Sequence, residues 1–343
     1  LWLIFGWSGI IIRSFESKKL LFGDKLTNQI TPEPVFMRRR FITNSLASLG
    51  LIGVPFSRNV FGAIGNNNSD YHGKLDYIKT MQFNQTEELT SYEDVTNYNN
   101  FYEFGTGKAD PSKLAPSMLR ILPWTVEVDG LVKRKRVFGL EDLLSLAPLE
   151  ERVYRMRCVE GWSMVIPWIG YSLSKFIDHV QPLGSAKFIS FTTLADAGMM
   201  PEVGALRPVL PWPYIEGLRM DEAMNSLTLL TFGFYGKKLL EQNGAPIRLV
   251  IPWKYGFKGA KSIVKISFLE KQPQTTWVKV SPREYGFYSN VNPSVSHPRW
   301  SQAKERRIGM GGLFASKIPT LLFNGYENLV GNLYTGMNLR KFF

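Results

Sequence analysis

Hydrophobic and polar positions follow two different periods along this chain, and the changes of period mark its elements. Trp124, Val126 and Val128 alternate with polar neighbours and end at Asp129-Gly130, which predicts a strand running into a turn. Leu140, Leu143, Leu144 and Ala147 keep the i, i+3, i+4, i+7 spacing of a helix face, and Leu173, Phe176, Ile177 and Val180 repeat it. Later segments read as strands: Lys187 to Thr193, Ile247 to Trp253, Ile263 to Leu269, and Thr276 to Val280. Pro and Gly punctuate the chain between them, and there is no internal repeat. The pattern predicts a mixed α+β protein with strands dominating the second half. Strand and helix alternate too irregularly for a doubly wound parallel sheet.

Two regions stand apart. Residues 66–120 are polar and Asn-rich without clear periodicity, which predicts a long irregular segment whose aromatics, Tyr98, Phe101, Tyr102 and Phe104, pack on something. Upstream, residues 1–12 are apolar but short for a membrane span, which needs about 20 residues. Arg38-Arg39-Arg40-Phe41-Ile42 then precedes a mild apolar run from Leu46 to Phe56. Basic residues, an apolar stretch and small residues form the order of an export signal, and the paired arginines resemble a twin-arginine signal peptide. A basic loop before an ordinary core helix is the competing reading. The expected division is an N-terminal extension and signal peptide over 1–65 and one mature domain over 66–343, with cleavage between Gly62 and Asn66.

Composition narrows the classes. The chain has 343 residues, 44% hydrophobic and 13% aromatic, so it can bury a core without disulfides and is not mainly disordered. Its net charge of +12 suits an anionic cofactor, a membrane surface or nucleic acid. The basic runs, Arg38-Arg39-Arg40 and Lys133-Arg134-Lys135-Arg136, carry no nucleic-acid-binding motif, so nucleic acid is not expected as a partner. The three histidines, His72, His179 and His297, lack paired metal-ligand spacing.

Cys158 is the only cysteine. It lies in Arg155-Met156-Arg157-Cys158-Val159-Glu160-Gly161-Trp162, where neighbouring positive charge favours the thiolate. A single thiolate could anchor a metal whose other ligands come from an organic cofactor. It could equally be a buried, inert thiol or a nucleophile. A second segment, Asn243 to Ser262, combines a turn, a strand and a Gly-containing loop with Lys254, Lys258 and Lys261. Backbone N–H groups and lysines of that kind suit a phosphate, and a solvated hairpin loop fits as well. Neither a P-loop nor a Rossmann glycine pattern is present.

The run RVYRMRCVEGWSMVIPW resembles the cysteine segment of the sulfite-oxidase family of molybdopterin oxidoreductases, and within it the bacterial periplasmic protein-methionine-sulfoxide reductases. NNFYEFGTGKADP, YIEGLRMDEAM, NGAPIRLVIPWKYGFKGAKSI, EYGFYSNVNP, HPRWSQA and PTLLFNGYE extend the resemblance, in order, across nearly all of the mature chain. It implies a sulfite-oxidase-type molybdopterin-binding fold and one molybdenum-molybdopterin cofactor per chain, with Cys158 as the metal ligand. It places Asn99, Tyr102, Glu103, Thr193, Asn243, Arg248, Gly259, Ala260 and Lys261 at the cofactor, and Glu160 and Tyr102 near the open face of the metal. The implied reaction is reduction of methionine sulfoxide in exported proteins. The chain has no C-x-x-C-H haem motif, so a membrane-embedded haem subunit is the implied electron donor and the periplasm the implied location. Sulfite oxidation by the same cofactor, and a non-catalytic secreted binding protein, are the alternatives.

Overall fold

The computed structural model describes residues 68–80, 86–310 and 317–343. The twin-arginine stretch, the apolar run after it and the expected boundary at 65 lie outside the described residues. In chain order the elements are α1 (Tyr92–Asn97), α2 (Asp110–Met118), β1 (Thr125–Gly130), β2 (Arg136–Gly139), α3 (Leu140–Leu144), β3 (Glu150–Arg157), β4 (Trp162–Ser172) and α4 (Leu173–Val180). There follow β5 (Phe188–Thr193), β6 (Ile215–Arg219), α5 (Met220–Met224), β7 (Leu229–Phe234), β8 (Arg248–Val250), β9 (Ile263–Leu269), α6 (Thr276–Val280) and β10 (Lys304–Arg307). The chain is mixed α+β as its periodicity predicts.

The strands form two sheets. A five-stranded sheet has the order β2-β1-β9-β5-β6, with only the β1–β9 pair parallel. Its strands alternate as a half-covered sheet should: in β1, Val126 and Val128 are buried while Glu127 is exposed. The second, eight-stranded sheet is centred on β4. Along one edge β4 pairs with all of β3, from Glu150 opposite Gly170 to Arg157 opposite Ser163. Its other edge is divided between antiparallel β7 and parallel β10. All 11 residues of β4 are buried, so no period-two signal marks it in the sequence. One continuous apolar core takes Val126, Phe191 and Ile266 from the first sheet and Tyr154, Ile166 and Phe232 from the second.

Three expectations need correction. The segment 66–120 is not irregular throughout: it holds α1, a 3-10 turn at Tyr102–Phe104, and α2. Ser91 caps α1, its Oγ accepting from the Asp94 N–H at 3.0 Å, and Pro111 sits in the first turn of α2, where its missing N–H costs nothing. These helices are too short and polar-faced to show an apolar stripe. Thr276–Val280 forms helix α6, not a strand. Its β-branched residues favour a strand locally, but the Trp277 ring packs against Tyr102 and Tyr285 with centroids 5.6 and 4.6 Å away, and Thr276 Oγ1 accepts from the Ile215 N–H. In the 247–253 run only Arg248–Val250 is strand, and Pro252 falls just beyond it.

Candidate active site

β3 ends at Arg157, and the hairpin turn to β4 presents Cys158. The Cys158 N–H donates to Trp162 O at 2.8 Å and its carbonyl accepts from the Gly161 N–H at 3.0 Å. The turn is pinned from outside by residues far along the chain: Val159 O accepts from Trp300 Nε1 at 2.8 Å and from Gln302 Nε2 at 2.7 Å. The thiol is buried, and two donors reach its Sγ, the Glu160 N–H at 3.5 Å and Asn100 Nδ2 at 3.6 Å. Donors aimed at sulfur favour the thiolate over the thiol.

The neighbouring arginines do not supply that charge. Arg157 is fully buried with its Nε 2.8 Å from Glu305, and its Nη1 turns back to the Cys158 carbonyl. Arg155 is taken up by Glu87. Lys261 faces the same cavity, and Cys158 is one of the groups that favour its ammonium.

Cys158 opens onto a cavity enclosing about 970 Å³ of empty space, part of it open to solvent. Its walls bring together most of the expected site: Asn99, Tyr102, Glu103, Thr193, Asn243, Arg248 and Lys261 all line it. Gly259 and Ala260 do not. Gly259 lines a small adjoining cleft that also touches Arg248, and Ala260 is wholly buried, its carbonyl accepting from the Leu249 N–H. Of the three lysines of the loop only Lys261 faces the cavity. Lys254 and Lys258 are buried in ion pairs, each 2.6 Å from a carboxylate, Glu222 and Glu216 respectively. The loop is therefore neither a solvated hairpin nor a three-lysine anion site. Its turn depends on Gly244, which has φ +94° and lies so close to Lys261 that a Cβ would stand 2.7 Å from the Lys261 Cβ.

The far wall is polar and incompletely satisfied. Val95 O accepts from both Asn99 Nδ2 and Asn243 Nδ2 at 2.9 Å, which fixes these two amides side by side. Asn99 Oδ1, Asn243 Oδ1, Gln242 Oε1 and Arg248 Nε are buried without a hydrogen-bond partner among the described residues. Arg248 stacks over Trp168 at 4.8 Å, and burial pushes its guanidinium down to about 10. Half-buried Lys261 has no carboxylate within 4 Å among the described residues. Enclosure and then Arg248 push it below the ordinary lysine range, against the pull of Glu103 and Cys158. Burial raises Glu103, whose carboxylate accepts from Thr193 Oγ1 at 3.3 Å, while Lys261 opposes the rise.

Beside Cys158, Glu160 gathers two residues that the reading of the sequence did not single out, Asn100 and Lys108. Glu160 accepts from Trp162 Nε1 at 2.7 Å and pairs with Lys108 Nζ at 2.6 Å, while Lys108 also reaches Asn100 Oδ1. Asn100 and Lys108 lie in the segment read as irregular, 58 and 50 positions from Cys158, and no local pattern relates them. Among the described residues no group of three or more His, Cys, Asp or Glu side chains is placed to hold a metal. The protein's soft donor to a metal in this cavity is the one thiolate.

Residues 114–277 match the family model of the oxidoreductase molybdopterin binding domain. The protein-methionine-sulfoxide reductase catalytic subunit MsrP of Ralstonia nicotianae is 54% identical over 338 residues, covering 96% of this chain and 99% of that protein. The proteins of that name from Burkholderia mallei and Pseudomonas syringae pv. tomato are 53% and 49% identical, covering 94% and 92% of this chain and 97% and 96% of theirs. A crystal structure of the sulfane dehydrogenase SoxCD from Paracoccus pantotrophus aligns with 70% of this chain and 60% of its own, at 17% identity and a TM-score of 0.37. With half of its residues shared with these subunits over almost its full length, the chain belongs to the protein-methionine-sulfoxide reductase catalytic subunits, a family of molybdopterin-binding oxidoreductases.

Proposed function

We propose that this chain reduces methionine sulfoxide residues of exported proteins, using a molybdenum-molybdopterin cofactor held in the cavity at Cys158. The observation that carries the reading is the match between that cavity and the group. A pterin presents N–H donors and carries a phosphate. The cavity offers three buried amide oxygens without partners among the described residues, on Asn99, Gln242 and Asn243, beside two cations, Arg248 and Lys261. The same cavity is lined by the only thiol of the chain, a soft ligand suited to molybdenum.

When bound, the cofactor supplies two-electron oxygen-atom transfer, which turns a sulfoxide into a thioether. The protein's own residues hold and orient. Cys158 would ligate the metal, its Sγ placed by the Val159 clamp and the donors from Asn100 and Glu160. Asn99, Gln242, Asn243, Glu103 and Thr193 would hold the heterocycle, and Arg248 and Lys261 would compensate its phosphate. Gly259 and Ala260 act at one remove: a Cβ on Gly259 would stand 3.3 Å from Arg248 Nη2, so its bareness leaves room for that guanidinium. Tyr102 lines the cavity, and Glu160, paired with Lys108 Nζ at 2.6 Å, would keep a proton beside Cys158 for the bound group. Electrons come from a membrane-embedded haem subunit. The protein works in the periplasm, exported by the twin-arginine signal at Arg38-Arg39-Arg40.

Elemental analysis of the purified mature protein, with turnover on a methionine-sulfoxide peptide driven by a reduced dye, tests this. About one molybdenum per chain and rapid peptide reduction are expected. Absence of molybdenum, or oxidation of sulfite in preference to sulfoxide reduction, would overturn it.

A further inference from the structure

A second cavity, enclosing about 710 Å³, adjoins the first. The two share Val159, the neighbour of Cys158, and Phe257. Two side chains of the second wall are more than nine-tenths buried and keep a nitrogen without a hydrogen-bond partner among the described residues, Asn290 Nδ2 and His297 Nε2. The other ends of both are committed. Asn290 Oδ1 accepts from Lys254 Nζ at 2.9 Å, so its amide cannot turn over to offer an acceptor instead. His297 Nδ1 accepts from the Arg299 N–H at 3.2 Å, and the ring lies flat on Trp300 with centroids 3.7 Å apart. Burial and then Arg299 hold this histidine down at about 3, so the neutral ring carries its one proton on Nε2. Glu284 Oε2 stands 3.3 Å from Nε2 without the alignment of a hydrogen bond, and that oxygen already accepts from Arg299 Nη2 at 2.8 Å. The cavity wall thus holds two donors without a hydrogen-bond partner among the described residues, with the Glu284 carboxylate beside one of them. Two exposed arginines, Arg283 and Arg340, add positive charge to its wall.

A ligand for such a wall is rich in acceptors and long enough to continue into the catalytic cavity. A polypeptide meets both demands, through its carbonyl groups and the adjacent residue whose side chain reacts. We propose that the second cavity receives the segment flanking the methionine sulfoxide, with backbone carbonyls accepting from Asn290 Nδ2 and His297 Nε2 and acidic side chains favoured by Arg283 and Arg340. This rests on the reading that the chain reduces methionine sulfoxide in proteins, and it says how a protein substrate is told from the free amino acid.

The test uses the molybdenum-loaded protein with two substrates, free methionine sulfoxide and a short peptide carrying it between acidic residues. Asn290→Asp keeps the oxygen that Lys254 needs, and His297→Phe keeps a ring on Trp300. In each, the ratio of kcat/KM for peptide over free sulfoxide is expected to fall about three- to tenfold, the scale of one lost hydrogen bond. Titration with the same peptide in its thioether form, which needs no turnover, should show weaker binding by a similar factor. Arg283→Glu with Arg340→Glu, two surface changes that leave the packed wall intact, should lower the same ratio should either buried variant fail to fold. An unchanged ratio and unchanged peptide binding in the folded, loaded variants would overturn the assignment. A wild-type protein that binds the thioether peptide but reduces neither sulfoxide would instead overturn the reaction and leave the cavity's role standing.

Discussion

In the proposed reaction Cys158 concentrates the chemistry of this molecule in one atom. Replacing it with Ser leaves a hydroxyl of similar size in the same pinned turn, so the fold should hold. The soft ligand is gone, and no second thiol exists to take its place. Sulfoxide turnover should fall at least a hundredfold while circular dichroism stays as in the wild type, and a folded Ser variant with near-normal turnover would remove Cys158 from the mechanism. Lys261 is expected to act with opposite signs in two assays. Its charge sits in an enclosed cavity beside Arg248, which is why its ammonium is held below the ordinary lysine value. Between that depressed value and about 10.4 the unfolded chain binds the proton more tightly, so the stability of the cofactor-free protein gains from Lys261 as pH rises through this window. Lys261→Met should therefore be at least as stable as the wild type at neutral pH when cofactor-free, with the difference shrinking as pH rises, and yet load less molybdenum. Loss of stability at neutral pH with full loading would contradict both halves. That Cys158 and Lys261 would share one cavity was legible from residue type and resemblance. What held the thiol in place was not: Asn100, Trp300 and Gln302 reach it by folding, and Arg155 and Arg157, adjacent in sequence, spend their charge on Glu87 and Glu305.

At the scale of elements, periodicity read correctly where a clear apolar face alternates with a polar one. β1 and β9 alternate and α4 shows an apolar stripe, and each was found within a residue or so of its bounds. The central strand β4 could not be found that way, because burial on both faces erases alternation. β3 was hidden for another reason: Arg152, Arg155 and Arg157 look like a solvated face but are paired with carboxylates inside the fold. α6 shows the converse, a run of strand-forming residues made helical by one tryptophan seated between two tyrosine rings. The crowding around β4 gives a direct check. At Gly170 the pairing with β7 shifts register, and a Cβ there would stand 2.1 Å from Leu230 O. Gly170→Ala must push the two backbones apart, at a cost of about 2 kcal/mol or more. Chemical denaturation should show the midpoint falling, whereas an unchanged midpoint would mean that the two strands are not packed as closely as described.

On the proposed reading, the molecule as a whole joins an export signal to a cofactor site that only the folded chain can form. The route read from Arg38-Arg39-Arg40 carries folded proteins. Changing Arg39 and Arg40 together to Lys should leave cofactor-loaded precursor in the cytoplasm. Mature enzyme appearing in the periplasm at normal levels would show that another route serves this chain.

The cavity wall is drawn from both sheets: Cys158 follows β3 and Arg248 opens β8 in the larger one, while Thr193 closes β5 in the smaller. A group bound there touches both layers and acts as a rivet between them. Whatever binds the native state and not the unfolded chain stabilises it in proportion to the logarithm of its occupancy. Here that gain falls on the seam, so loading should raise the cooperativity of unfolding as well as its midpoint. Amide exchange at the ends of β5 and β8 should slow together on loading, with the strands furthest from the seam, such as β2, little changed. The cofactor would then be the last structural member of the protein to be installed, and the chain without it two layers leaning on each other.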